Sequence, residues 1–224
     1  MLTQQKRRQR PTTTAARRVA PARVALGPRD DGRRLTERQY LRCVDAPRYI
    51  AEICDGVVHV SPVPVPTHNS WQTLILQLWL DLARREPAVI NYVTYDNEIV
   101  ITGRPGATRP RPDVSAYRIF PPLEHLTKHD DWSLYCPIVV VEVISKRRRR
   151  KDVERNRALY WAAGGIAGWI IDPSKDPRRP TMIVLTREAG QPTWIERRLA
   201  FGETCRSAAL GGLEVNQRTL AAGK

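Results

Sequence analysis

The stretch PIVVVEVIS, residues 137–145, is an apolar and mostly β-branched run that is interrupted by one carboxylate, Glu142. A run of this length and composition predicts a buried β-strand. Burying an acid in such a strand is costly unless a metal ion or another cation compensates its charge. A second acid, Asp113, opens a further β-like segment, DVSAY at residues 113–117. If the two strands are neighbours, the two acids form one polar site.

Six consecutive cations follow the apolar strand: Lys146, Arg147, Arg148, Arg149, Arg150 and Lys151. Two acids that can hold a divalent ion, beside a patch that can bind phosphate, indicate metal-dependent phosphodiester chemistry. Mg²⁺, or Mn²⁺ in its place, suits such a site because one or two carboxylates and a substrate phosphate are enough to hold it. The alternative is structural: Asp113 caps a turn, Glu142 pairs with an arginine, and the basic run is a solvated loop.

The net charge of +14 is unevenly distributed along the 224 residues. Residues 1–34 contain ten Lys or Arg and two acids, and residues 35–224 contain 27 and 21. This concentration of basic residues in one tail and one patch is typical of proteins that bind a polyanion. We interpret residues 1–34, which lack hydrophobic periodicity, as a basic disordered tail, and residues 35–224 as one domain.

Cysteine spacing and hydropathy indicate the compartment. The four cysteines show no CxxC spacing and are interpreted as isolated thiols in a reducing environment. No apolar stretch approaches the roughly 20 residues that a membrane span needs. These features predict a cytoplasmic protein without a membrane segment. The Arg-, Thr- and Ala-rich N-terminus also resembles an organellar transit peptide, which leaves that localisation open.

The remaining sequence predicts a mixed sheet flanked by helices, an α/β fold. Thr36 is a candidate helix N-cap, and Asp55-Gly56 is a hairpin turn. Further helices are expected over residues 69–85, capped by Asn69 or Ser70, and over residues 152–163, ended by Gly164. Residues 61–66, with three prolines, are expected to be an extended loop. Strands are expected at residues 92–95, 98–101, 113–117, 138–144, 168–172, 182–186 and 193–199.

Taken in order, several short motifs resemble the Uma-two family of restriction endonucleases, a branch of the PD-(D/E)xK nuclease superfamily. The resemblance covers roughly residues 35–200. It implies a restriction-endonuclease-like α/β core, dependence on Mg²⁺, and DNA as the substrate, and nucleases of this type often act as homodimers. The matching pieces are YIAEICDG at 49–56, THN at 67–69, RPDV at 111–114, IVVVEVIS at 138–145, Asp152, Tyr160 and WIIDP at 169–173.

By this resemblance, Glu52, Asp113 and Glu142 are the catalytic acids and metal ligands. The superfamily's lysine position, two residues after Glu142, is Ile144. In the Uma-two family this lysine has moved into the following helix, between an Asp and a Tyr that correspond to Asp152 and Tyr160. That position is Asn156 in this chain.

An amide such as Asn156 can orient water by hydrogen bonding but supplies no charge. Three cations could replace the lysine: Lys146, which by alternation lies on the strand face of Glu142, and Arg155 and Arg157, each about 100° away from Asn156 around a helix. The spacing does not distinguish between them. A second departure from the family is Gly168, where an acid is usual.

Two histidine features are weaker candidates. His125 and His129 are four residues apart and could bind a metal if helical. His68, in the THN motif, could cap or line the long helix.

The sequence therefore predicts a Mg²⁺-dependent endonuclease that hydrolyses DNA phosphodiester bonds, with Lys146 to Lys151 binding the nucleic-acid backbone. The alternative is a catalytically impaired, nuclease-like DNA-binding protein, because of Asn156. A module that binds an acidic protein through the basic tail is a third interpretation.

Overall fold

The computed structural model describes residues 23–128, 130–145, 151–164, 166–188 and 190–222. The described residues form twelve strands and four α-helices. The strands are β1 Val24–Leu26, β2 Cys43–Asp45, β3 Tyr49–Cys54, β4 Val57–Pro62, β5 Tyr92–Tyr95, β6 Val114–Tyr117, β7 Val139–Val143, β8 Ala167–Asp172, β9 Thr181–Thr186, β10 Ile195–Leu199, β11 Thr204–Ser207 and β12 Leu213–Asn216. The helices are α1 Glu37–Tyr40, α2 Pro66–Arg85, α3 Lys151–Ala162 and α4 Gln217–Ala221.

A six-stranded sheet in the order β10-β9-β8-β7-β6-β5 forms the centre of the molecule. β7 and β8 run parallel and are connected through α3, whereas the other neighbouring strands are antiparallel. Helix α2 packs against β5, β6 and β7, and α3 packs against β8. The expected mixed sheet flanked by helices is therefore confirmed.

Alternation along β7 divides its residues between two apolar clusters. Val139, Val141 and Val143 belong to the main core, together with the buried residues of α2. Val140 instead packs with Leu159 and Tyr160 of α3. Because side chains alternate along a strand, Glu142 points to the same side as Val140. Helix α3 therefore covers the face of the sheet that carries the acid.

The hairpin of β3 and β4 lies outside the central sheet and has its own small core, to which Leu26 of β1 contributes. Leu26 is 1% exposed, and the Val60 N–H donates to the Asp31 carboxylate. The prediction of a disordered tail is thus wrong for residues 23–34, because they pack on this hairpin. The rest of the predicted tail, residues 1–22, lies outside the described residues.

Three features in the first half of the chain differ from expectation. Thr36 caps α1 as predicted, with Gln39 completing a capping box. Helix α2, however, begins at Pro66 and not near Asn69, because proline is favoured in the first turn, where its missing N–H costs no hydrogen bond.

The second difference concerns residues 98–101, which form no strand. Their two buried isoleucines donate to backbone carbonyls of the loop at 108–110 in an extended segment: Ile99 to Pro110 and Ile101 to Thr108. The expected extended loop at 61–66 is also shorter than predicted, since β4 continues to Pro62.

No helix in the described part of the chain combines the length and hydropathy that crossing a membrane would require.

Trp79 is expected to be a major determinant of stability. Its ring meets Trp169 edge-on, with the centroids 5.1 Å apart, and the two residues are 0% and 1% exposed. Trp79→Ala should lower the free energy of unfolding by about 3–5 kcal/mol through lost burial and a cavity. Urea denaturation measures this, with Leu134→Ala as the control, because Leu134 is 64% exposed and should change stability by less than about 0.5 kcal/mol. Equal effects of the two substitutions would contradict this account of the core.

Candidate active site

A cleft of about 630 Å³ opens between the β3–β4 hairpin, the start of α2, the end of β7 and α3. All three predicted acids and Asn156 line this cleft. The charged and polar lining residues are Glu52, Ser61, Thr67, His68, Asp96, Arg111, Asp113, Glu142, Ser145, Arg155, Asn156 and Ser174. The fold thus brings together site residues that are up to 104 positions apart in the sequence.

Asp113 is held at the start of β6 by groups from β7 and α2. Its Oδ2 atom accepts a 2.6 Å hydrogen bond from the Val143 N–H and lies 3.1 Å from His68 Nε2. Gln72, one turn after His68, donates to the Asp113 carbonyl at 2.8 Å. Burial tends to lower the pKa of His68, but the hydrogen bond and charge of Asp113 outweigh this and raise it. Within the described chain, Asp113 Oδ1 receives no hydrogen bond.

Glu142 is half-buried and bound by two residues of α3. Asn156 Nδ2 donates to Oε1 at 2.8 Å, and the Tyr160 hydroxyl donates to the same oxygen. Loss of hydration raises the pKa of the Glu142 carboxyl well above its usual value, and the charges of Asp113 and Glu52 raise it further. A bound cation would relieve this repulsion. Glu142 Oε2 has no hydrogen-bond partner among the described residues.

Glu52 reaches the cleft from β3, and both of its carboxylate oxygens are occupied. Oε1 accepts from the Arg111 backbone N–H at 2.6 Å. Oε2 forms a 2.6 Å salt bridge with Arg155 NH2. Glu52 therefore already has a cationic partner, Arg155.

The structure distinguishes the two arginines that flank Asn156. Arg155 lines the cleft, where its Nε donates to Asn156 Oδ1 at 3.0 Å and its NH2 reaches Glu52. Arg157 instead pairs with Glu196 of β10 at 2.8 Å. The side chain of Arg155 is long enough to overcome the offset of its Cα around the helix.

The third candidate cation, Lys146, lies with Arg147 to Arg150 outside the described residues, and Lys151 is described only as the start of α3. Ser145, just before the run, lines the cleft. In the sequence, the basic run lies between β7 and α3, which both contribute residues to the cleft.

The donor set fits a metal site that a substrate completes. No group of three or more His, Cys, Asp or Glu residues in the described ranges is arranged as a metal-binding cluster. Asp113 and Glu142 nevertheless each have one carboxylate oxygen that accepts no hydrogen bond from the described residues. Because Mg²⁺ retains waters and accepts phosphate oxygens, two such carboxylates are sufficient to place it. The metal roles expected for Glu52, Asp113 and Glu142 stay predictions.

The helical geometry that a metal site at His125 and His129 would need is not found in the described residues. His125 ends a 3₁₀ turn, Leu123–His125, so the segment is not the α-helix that a four-residue spacing would need. His125 does not line the cleft, and His129 lies outside the described residues. Gly168, the second departure from the family, borders a small cavity of about 10 Å³ behind Glu142 and Asn156.

The sequence patterns indicate no role for Gln72, Asp96 or Arg111, and only a general one for His68. His68 and Gln72 are 5% and 8% exposed and lie one turn apart on the buried side of α2. Two polar residues at this spacing on the apolar face of an amphipathic helix are the signal that could have identified them.

Comparison with known proteins agrees with the motifs. Residues 37–221 match the model of the Uma2 family, described as "Putative restriction endonuclease". No curated protein sequence matches the chain.

Among solved structures, the fold is similar to that of the "putative nuclease belonging to DUF820 from Anabaena variabilis ATCC 29413". The TM-score is 0.60 at 14% sequence identity, covering 84% of this chain and 98% of that chain. The mixed sheet with its flanking helices is therefore the expected restriction-endonuclease-like fold. Since the family model spans most of the sequence, the chain belongs to the Uma2 family of restriction-endonuclease-like proteins.

Proposed function

We propose that this protein is a divalent-metal-dependent endonuclease that hydrolyses DNA phosphodiester bonds. The observation that carries the proposal is the convergence of Glu52, Asp113 and Glu142, from three separate strands or strand ends, on one cleft. Membership of the Uma2 family supports the same activity.

Asp113 and Glu142 would hold Mg²⁺ or Mn²⁺ through the oxygens that accept no hydrogen bond from the described residues, with Glu52 as a further candidate ligand. When bound, the ion would polarise the scissile phosphate and lower the pKa of an attacking water. The partners of the two acids act by fixing their orientation. Val143 and His68 hold one oxygen of Asp113, and Asn156 and Tyr160 hold one oxygen of Glu142. The remaining oxygen of each carboxylate would therefore be oriented for the ion before it binds.

DNA would reach this cleft past the basic run at residues 146–151, which we propose binds the phosphate backbone. Assembly into a homodimer, which would let two clefts act on two strands, stays a prediction.

Removing either acid should abolish most of the cleavage. Asp113→Asn and Glu142→Gln keep the side-chain shape but remove the charge that holds the ion. We expect each to lower the rate of plasmid cleavage in Mg²⁺ or Mn²⁺ by about 10²–10³-fold, since metal stabilisation of the transition state amounts to several kcal/mol.

The matched control for these two variants is Asp81→Asn. Asp81 is an exposed acid of α2 that pairs with Arg84 outside the cleft, so its variant should cleave like the wild type. Equal activity of the wild type, Asp113→Asn and Glu142→Gln would show that the assignment of the acids is wrong.

His68 should act through Asp113. His68→Phe retains the ring volume but removes the 3.1 Å contact with the carboxylate. Losing a group that orients a metal ligand typically weakens metal binding by about 10–100-fold. Calorimetric titration with Mn²⁺ measures the loss, and His125→Phe, at an exposed residue outside the cleft, should bind Mn²⁺ like the wild type. Unchanged Mn²⁺ affinity in His68→Phe would exclude this role.

The second candidate function is DNA binding without cleavage, and Asn156 favours it because an amide beside Glu142 supplies no positive charge. Under the leading proposal, the wild-type protein cleaves DNA with Asn156 in place. A wild type that binds DNA, releases it as salt rises, and cuts only after Asn156→Lys would favour the second function. Gel-shift and plasmid-cleavage assays on the two proteins distinguish these outcomes.

A further inference from the structure

Phosphodiester hydrolysis accumulates negative charge on the phosphate in the transition state, and fixed positive groups stabilise that charge. Asn156 cannot provide one. Two arginines are present among the described residues that line the cleft, Arg111 and Arg155. The question is therefore which of them is directed at the acids.

The guanidinium of Arg111 bonds to none of the three predicted acids among the described residues, and its Nε donates to the Asp96 carbonyl at 3.4 Å. Its NH1 forms a 2.7 Å salt bridge with Asp45, a residue of β2 that does not line the cleft. Its contact with Glu52 is made by the backbone N–H and not by the guanidinium. Arg111 thus supports the position of Glu52 while its charge is compensated elsewhere.

Arg155 lies between the acids. Its guanidinium bonds to Glu52 through NH2 and to Asn156 through Nε, and Asn156 in turn bonds to Glu142. These contacts form a continuous chain of side chains from β3 through α3 to β7. The side chain of Arg155 is 18% exposed, so a group that enters the cleft can reach it.

We propose that Arg155 supplies the positive charge that contacts the scissile phosphate, and that Asn156 and Glu52 are the residues that position its guanidinium. The inference rests on the proposed nuclease function, in that the cleft is taken to bind DNA. A guanidinium carries five N–H donors in a planar fork, so it can retain a protein acceptor while it binds a phosphate. The charge that the amide lacks is thereby provided one residue earlier on the same helix.

The test is the salt dependence of DNA binding in EDTA, which needs no catalysis. A short fluorescein-labelled DNA duplex is titrated with each protein at several salt concentrations. Losing one phosphate contact should reduce the slope of log K against log salt by about 1 and weaken binding roughly tenfold at about 0.1 M salt. We expect this change for Arg155→Gln and a slope near the wild-type value for Arg155→Lys.

Arg157→Gln is the matched control, because it removes the same charge from the same helix at a residue that pairs with Glu196. It should leave the slope unchanged. A change of slope in Arg157→Gln as large as that in Arg155→Gln would mean that overall charge, and not a contact, determines binding, and would overturn the proposal.

Arg155→Gln also leaves Glu52 without its cationic partner, which could disturb the cleft indirectly. The same substitution is therefore made in a Glu52→Gln background. If Arg155 contacts phosphate, it weakens binding in both backgrounds. If the loss disappears in the Glu52→Gln background, Arg155 merely neutralises Glu52 and the inference is wrong.

Cleavage assays separate this inference from the proposed function. With Mg²⁺, Arg155→Gln should cleave about 10²–10³-fold more slowly than the wild type, the usual effect of removing one group that stabilises the developing charge. Equal cleavage rates of the wild type and Arg155→Gln would contradict the role of Arg155 but not the nuclease activity. A wild-type protein that binds DNA but never cuts contradicts the nuclease, while the binding experiments still decide whether Arg155 contacts phosphate.

Discussion

The carboxylate of Glu142, in a strand of otherwise apolar residues, is the constraint on which the site depends. Alternation along β7 places Glu142 on the α3 side, while Val141 and Val143 pack in the main core. The acid then needs polar partners from α3, and Asn156 and Tyr160, four residues apart on one helix face, supply them. The helix that covers this face of the sheet is thus also the wall that carries the polar groups of the cleft.

The same strand organises the second acid. The Val143 backbone N–H, at the end of β7, donates to Asp113, which lies just before the neighbouring β6. Because β6 and β7 are antiparallel, the start of β6 lies beside the end of β7, and the two acids are neighbours there. α2 adds His68 and Gln72 from the other side. β7 therefore carries one carboxylate, that of Glu142, and orients the other, that of Asp113, through the Val143 backbone N–H.

Much of this arrangement could be predicted from the sequence, because hydrophobic periodicity and turn residues report on local structure. The sheet, α3 and the three acids followed from such patterns together with the family motifs. The sequence does not predict the early start of α2, because Pro66 follows two other prolines in a segment whose composition is typical of extended structure. The sequence does not show that residues 23–34 are structured, because Leu26 is an isolated buried apolar residue in a segment without hydrophobic periodicity. The position of Arg155 depends on the reach of a long side chain, which spacing along a helix does not encode.

The three acids do not all belong to the same hydrophobic unit. Glu52 is carried by the hairpin, which has its own core, whereas Asp113 and Glu142 are attached to the central sheet. The salt bridge from Glu52 to Arg155 joins the hairpin to α3 across this division. Small units that pack on a larger core can open locally at a lower free-energy cost than global unfolding. We therefore expect the cleft to be less stable than the sheet: undocking of the hairpin would remove Glu52 from the cleft before the sheet unfolds.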